Sequence, residues 1–351
     1  SPRTRIVVDS VDLHFLRERR EAETLGKSEL LSMASATMER ELKVYSQADA
    51  VIVVSETELG YVRSLLPNQD VYVIPNVHRP TKYVTPFDGR RGLLFVGNFR
   101  HRPNVDAVAY FVHHILPLVR KRLPEASVTI VGDAPPPAVR ALEGPGVTVT
   151  GWVPDLTPYL QRHRVLVAPL RFGAGLKGKI GEALANGLPV VTTSIGAEGM
   201  PGAVETGVLR VADDPESFAE AVACLYTDPE QWNEASRRGR EYVSEHYTPE
   251  IVREKLENIV ASLAPDPPSP ALFATPRVPS SPASHGAILS VAERSLLSIV
   301  IPVYRDAEAT EKCLRAVATW TRQPYEVLLV DNASDEDVKA VISRASGYIK
   351  R

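Results

Sequence analysis

The feature that most constrains this chain is a run of short apolar segments separated by helix-length stretches, starting at residue 92 and continuing to about residue 246. Strands are read at 92–96, 128–131, 147–150, 165–168, 190–192 and 208–211, with helices filling the intervals. Strands spaced by helical segments of about ten or more residues pair in parallel through right-handed crossovers, so 86–246 is expected to form one complete, doubly wound α/β domain.

The stretch before it follows the same alternation with fewer elements: a strand at 6–8, a long helix over 15–45, a strand at 50–54, a helix at 56–66 and a strand at 71–74. Three strands fall short of the roughly five of a complete doubly wound domain, so 1–85 is expected to be a partial one that lacks its front half. After residue 246, Thr248 and Pro249 open a helix to about residue 263, as N-cap and first helical residue. Seven prolines then fall between residues 265 and 282 among Ser and Ala, which marks 264–296 as an extended linker. In 297–351, apolar strands at 297–303 and 326–330 bracket a helix from about 307 to 321, a single βαβ unit that is too small to fold alone. The chain is therefore expected to begin and end inside a longer protein, since residues 5–9 already read as a buried strand and Lys350-Arg351 stop without a terminating element.

Bulk properties narrow the function. A length of 351 residues with 44% hydrophobic residues supports several cores. Forty Lys and Arg against 43 Asp and Glu give a net charge of -3, which argues against nucleic acid as a partner. Cys224 and Cys313 have neither a metal nor a disulfide spacing, and a reducing cytoplasm fits them. No run approaches the roughly 18 apolar residues of a membrane span.

The most informative chemistry lies in 169–193, PLRFGAGLKGKIGEALANGLPVVTT, where a strand ends in a glycine-rich loop and a helix carries Lys177, Lys179 and Glu182. Gly173 and Gly175 let main-chain N–H groups approach a ligand without Cβ obstruction, and the following helix presents its positive end. Two lysines in a first turn oppose the helix dipole by roughly 0.3–1 kcal/mol each, a conflict that a bound diphosphate removes. Ile180, Ala183 and Leu184 form the buried stripe, which puts Lys179 and Glu182 together on another face.

This segment resembles the C-terminal domain of family 4 glycosyltransferases, over Gly173 to Val191. The resemblance implies a GT-B fold of Rossmann-like domains, with Glu182 on the donor ribose, and Gly173, Ala174, Gly175 and Lys177 or Lys179 on the diphosphate. Position 174 carries Ala where many members carry an acid. Weaker parts of the same resemblance are Ser55-Glu56, Ile74-Pro75-Asn76 and Phe95-Val96-Gly97-Asn98, with Arg100 or Arg102 standing in for the family's basic residues after Gly97. Asp12 and His14 fall where the family places an acceptor-side His-Asp pair, although the usual His position is Val11. The Arg17, Arg19 and Arg20 cluster and His113-His114 read as solvated helix faces and receive no role. Farther on, Ser298 to Tyr304 and Leu328 to Asp335 resemble the start of family 2 glycosyltransferases of the GT-A fold, with Asp331 on a nucleotide base or ribose.

The implied function is transfer of a sugar, with retention, from a nucleoside-diphosphate sugar to a glycan or lipid-linked glycan acceptor, in bacterial surface polysaccharide synthesis. No metal is expected in the first module; the resemblance implies a divalent metal only for a complete GT-A domain. The expected location is the cytoplasm, with peripheral association at the inner face of the membrane. A nucleotide-sugar epimerase of the same fold and a non-catalytic nucleotide-sugar scaffold stay open as alternatives.

Overall fold

The computed structural model describes residues 5–263, 297–303, 307–320, 325–331, 340, 341 and 344. Residues 7–263 make one compact unit that holds two parallel sheets. The first has the order β1-β2-β3, from β1 (Val7–Asp9), β2 (Ala50–Val53) and β3 (Val71–Val73), all parallel. Its helices follow the expected positions with one correction: the stretch read as one helix over 15–45 is two, His14–Leu25 and Ser28–Gln47. Gly26 breaks it, in the left-handed region at φ 63°, where its N–H closes the first helix on Glu23 O and Lys27 starts the next turn.

The second sheet contains β4 (Leu93–Val96), β5 (Val128–Val131), β6 (Val147–Gly151), β7 (Val165–Ala168), β8 (Val190–Thr192) and β9 (Leu209–Val211). Its order is β6-β5-β4-β7-β8-β9, every pair parallel. Because successive residues of a strand face opposite sides, the central strands β4 and β7, covered on both, are wholly apolar. Leu93 and Phe95 enter one core together with Val165 and Val167, whereas Leu94 enters the opposite core with Leu166 and Ala168. Helices cover both faces. Chain order counts outward from β4 to β6 on one side and from β7 to β9 on the other, so the winding reverses between β4 and β7. A crevice opens at that reversal, at the carboxyl ends of the two strands.

The connection between the sheets is fastened by Arg90, a fully buried arginine with no carboxylate in ion-pair range among the described residues. Its guanidinium donates to the carbonyls of Thr85, Leu160, His163 and Asn186 and lies over the Trp232 ring, 5.1 Å from its centre. After the second sheet the helix Pro249–Leu263 returns to the first, where Ser262 Oγ meets Tyr72 Oη of β3 at 3.0 Å.

Described by themselves, β10 (Leu297–Val303) and β11 (Tyr325–Asp331) pair in parallel over seven residues, from Leu297 with Tyr325 to Val303 with Asp331. The helix Ala307–Trp320 lies between them in sequence, giving the expected βαβ unit, with Asp331 at the strand's carboxyl end. The turn after Asp331 and the linker lie outside the described residues.

Candidate functional site

At the carboxyl ends of β4 and β7 a cleft of about 310 Å³ opens between the two sheets' halves. One wall is the loop from Phe172 to Lys179; the facing wall is Val11, Asp12, His14 and Arg17; His101, Pro103 and Asn104 close the β4 side. The loop is shaped by Gly175, whose φ is 69° and whose pro-Cβ position lies only 2.8 Å from Asp12 Cβ and 3.1 Å from Val11 O. Only glycine takes that conformation and lets the two walls come this close.

The helix Gly178–Ala185 begins at the floor of the cleft, with Lys177 as its N-cap residue and no side chain capping it. Ile180, Ala183 and Leu184 are buried as the sequence pattern requires, and Lys179 points into the cleft. Lys179 Nζ bonds Asn104 Oδ1 and lies 4.9 Å from the centre of the Phe95 ring. Lys177, 9% exposed, donates instead to Gly175 O at 2.6 Å and Ala174 O at 3.3 Å. Neither ammonium has a carboxylate within ion-pair distance among the described residues. Burial pushes both down, Lys177 to about 8 and Lys179 to about 7, and Lys177 lowers Lys179 further by repulsion.

Glu182 lies one turn along the helix, outside the residues that line the cleft. Its side chain is 45% exposed, and its oxygens meet His78 Nδ1 at 3.1 Å and Asn186 Nδ2 at 3.3 Å. The hydrogen bond from His78 holds the carboxyl below its usual range. His78 is itself buried, with its main-chain N–H on Tyr247 O and its Nε2 lacking a partner among the described residues. A Cβ at Gly181 would fall 2.3 Å from that Nε2, so a glycine makes room for the ring.

His14 lines the opposite wall at the start of its helix. Both ring nitrogens are engaged, Nδ1 with Glu41 at 3.0 Å and Nε2 with Asp12 at 3.2 Å, and the Glu41 bond raises its pKa. Asp12 also pairs with Arg17.

Of the residues singled out in sequence, the structure gathers His14, Gly173, Ala174, Gly175, Lys177 and Lys179 around one cleft. Gly97, Asn98 and Arg100 do not line it: Asn98 accepts from Asn104, while Arg100 faces outward 3.4 Å from Asp133. Arg102 pairs with Glu21 at 2.7 Å. The reading of the early arginines as solvated is corrected for two of them. Arg17 sits in the cleft wall, and Arg20 bonds Gly173 O at 2.7 Å and Glu198 at 2.6 and 2.7 Å. Arg17 and Arg20, three apart on one helical face, were the available signal; His78 and Asn104 left none, because their partners are remote in sequence. Among the described residues no group of three His, Cys, Asp or Glu side chains gathers as a metal site, and no helix is long and apolar enough to cross a membrane.

Residues 90–228, which supply one wall and the floor of this cleft, match the family model described as glycosyl transferases group 1. Residues 298–350 match glycosyl transferase family 2. Two glycosyl transferase segments thus follow one another in this chain. A protein of the cps region of Klebsiella pneumoniae, of 44.6 kDa and uncharacterized, is 28% identical over 184 residues, covering 50% of this chain and 47% of that protein. The glycosyltransferase AglE of Haloferax volcanii is 44% identical over 52 residues, 14% of this chain and 17% of AglE. The chain therefore spans about half the length of the first of these relatives and far less of the second. Among solved structures, sucrose-phosphate synthase of Thermosynechococcus elongatus superposes with a TM-score of 0.58 at 19% identity, over 73% of this chain and 67% of that one. TarM of S. aureus, in a complex containing UDP, gives 0.55 at 16% identity, over 64% and 46%. Anabaena HepE, with UDP and glucose, gives 0.55 at 13% identity, over 73% and 71%. The fold of residues 7–263 is of the GT-B type.

Proposed function

We propose that this chain belongs to an enzyme that moves a sugar from a nucleoside-diphosphate sugar to a glycan acceptor in the synthesis of a surface polysaccharide. The observation that carries the reading is the pair of lysines, Lys177 buried and Lys179 half-buried, with no ion-pair partner among the described residues, at a helix N-terminus on the switch-point cleft. Two cations without an ion-pair partner among the described residues, in a half-enclosed site, oppose each other and the helix dipole, and a diphosphate relieves both conflicts at once. In the reaction the acceptor hydroxyl oxygen bonds C1 and its proton passes to the leaving phosphate oxygen, while the C1–O bond to the diphosphate breaks and its electron pair stays on that phosphate. Lys179 and the N–H groups of the loop take up that added charge, which lowers the barrier electrostatically. Glu182 holds the ribose hydroxyls, and the Asp12–His14 pair borders the acceptor, with His14 orienting Asp12 because both its nitrogens are engaged.

The group 1 and family 2 matches, together with the cps-region relative, support polysaccharide synthesis by two transferases in series. Retention at the anomeric carbon, a lipid-linked acceptor, a cytoplasmic site at the inner membrane face, and Asp331 on the second module's nucleotide belong to this proposal. The test is calorimetry with UDP, GDP and ADP. Glu182→Ala is expected to weaken the best-bound diphosphate by about 2–3 kcal/mol, the loss of charge-assisted hydrogen bonds. An unchanged affinity would overturn the assignment.

A further inference from the structure

The carbonyls of the glycine loop are held from behind. Arg20 Nη1 donates to Gly173 O at 2.7 Å, and Lys177 Nζ donates to Gly175 O at 2.6 Å and Ala174 O at 3.3 Å. Three successive carbonyls are thus fixed by two cations. A trans peptide directs its N–H opposite to its C=O, so the N–H groups of Ala174, Gly175 and Leu176 turn away from those cations. None of the three donates to a protein acceptor among the described residues. Gly175, at φ 69°, stands between two residues of negative φ. That alternation of hand brings successive N–H groups to one side as an anion-binding concavity.

Arg20 is the less expected brace. It comes from the helix His14–Leu25 of the first half, does not line the cleft, and is itself locked by a two-pronged pair with Glu198 at 2.6 and 2.7 Å. A cation on the oxygen of a peptide also polarises it and strengthens the opposite N–H as a donor. We propose that Arg20 and Lys177 are positioning residues that set the three-amide concavity for the donor diphosphate without touching it, while Lys179 contacts the phosphate directly. This inference rests on the reading of the cleft as the donor site.

The test uses the whole chain and calorimetry with UDP, GDP and ADP, each beside its own nucleoside; the diphosphate bound most tightly by the wild type becomes the probe. Arg20→Gln and Lys177→Met are each expected to weaken the diphosphate about ten-fold or more while changing the nucleoside less than about two-fold. The double variant is expected to lose no more than the worse single one, because a loop freed at one brace is freed as a unit. In 15N-glycine-labelled protein the Gly175 amide resonance is expected to move on adding the diphosphate, and to stay still in Arg20→Gln. Equal losses for diphosphate and nucleoside, additive losses, or no loss in Arg20→Gln would overturn the bracing role. If the wild type itself shows no preference for diphosphate over nucleoside, the donor-site reading falls and takes the braces with it. Should Arg20→Gln not fold, Arg20→Lys replaces it. A lysine cannot keep both the Gly173 bond and the Glu198 pair, and a loss in the same direction is expected; an undiminished preference would again overturn the role.

Discussion

Lys179 carries a proton in water at pH 8 but is held near neutrality of its own titration by burial and by Lys177, at about 7. An anion beside it favours the charged form, so binding raises the pKa and draws a proton from solvent. Diphosphate affinity is therefore expected to fall as pH rises from about 7 to 9, with proton uptake at pH 8 visible as a dependence of binding heat on the buffer's ionisation enthalpy. Lys179→Met should reduce the uptake to the part that Lys177, at about 8, still takes up; a wild type that binds without taking up a proton would contradict the assignment. Gly181 gives a second residue-scale test. Glycine to alanine inside a helix ordinarily gains about 1 kcal/mol, yet here the methyl meets the buried His78 ring at 2.3 Å. Urea denaturation of Gly181→Ala is expected to show a net loss of about 1–3 kcal/mol, as overpacking does; a gain would mean that His78 moves freely. Lys177 and Lys179 were legible as cleft residues because they follow a glycine-rich loop at a strand end, whereas Glu182, read on the same face as Lys179, lies outside the cleft lining. Arg20 and His78 were not, since each acts on a partner more than a hundred positions away, at Gly173, Glu198 or Glu182.

Elements were easier to read than side-chain partners. The strands of the second sheet appear within a residue of where apolar runs end, most cleanly for the wholly apolar central strands β4 and β7, which are covered on both faces. The break at Gly26 was hidden by good helix formers on both sides, which continue the period across it. Nor does periodicity reveal how the connection between sheets is anchored. Arg90 reaches four carbonyls there from one planar fork, and burial lowers its pKa to about 10. A lysine keeps the charge without the fork. Arg90→Lys is expected to cost roughly 2–4 kcal/mol in chemical denaturation, since charge-assisted bonds contribute about 1.5–3 kcal/mol each. A cost within error of zero would show that these carbonyls find other donors.

At the scale of the molecule, the two halves meet through a few long-range ties: Arg20 with Glu198, Arg102 with Glu21, and the Pro249–Leu263 helix returning to β3. Val252 and Ile259 are the buried residues of that helix. Placing aspartate at both positions is expected to detach it and to speed hydrogen exchange in β3 while leaving β4 and β7 protected. Exchange that rises everywhere alike would indicate one cooperative unit instead. The parallel alternation of strands and helices was legible in the sequence; the lateral order of the strands and the seating of one sheet on the other were not, because interface side chains carry no period.

His78 has one practical consequence. It belongs to the connecting segment, yet it steadies Glu182 of the second sheet's domain, as Arg20 of the first half steadies Gly173. A fragment cloned from residue 86, where composition marks the border, would keep every strand of its sheet and still be stripped of both supports. A ligand screen on such a fragment is expected to under-report what the longer chain binds, since the segment before residue 86 also ties Thr81 to Ala185 and Thr85 to Gln161.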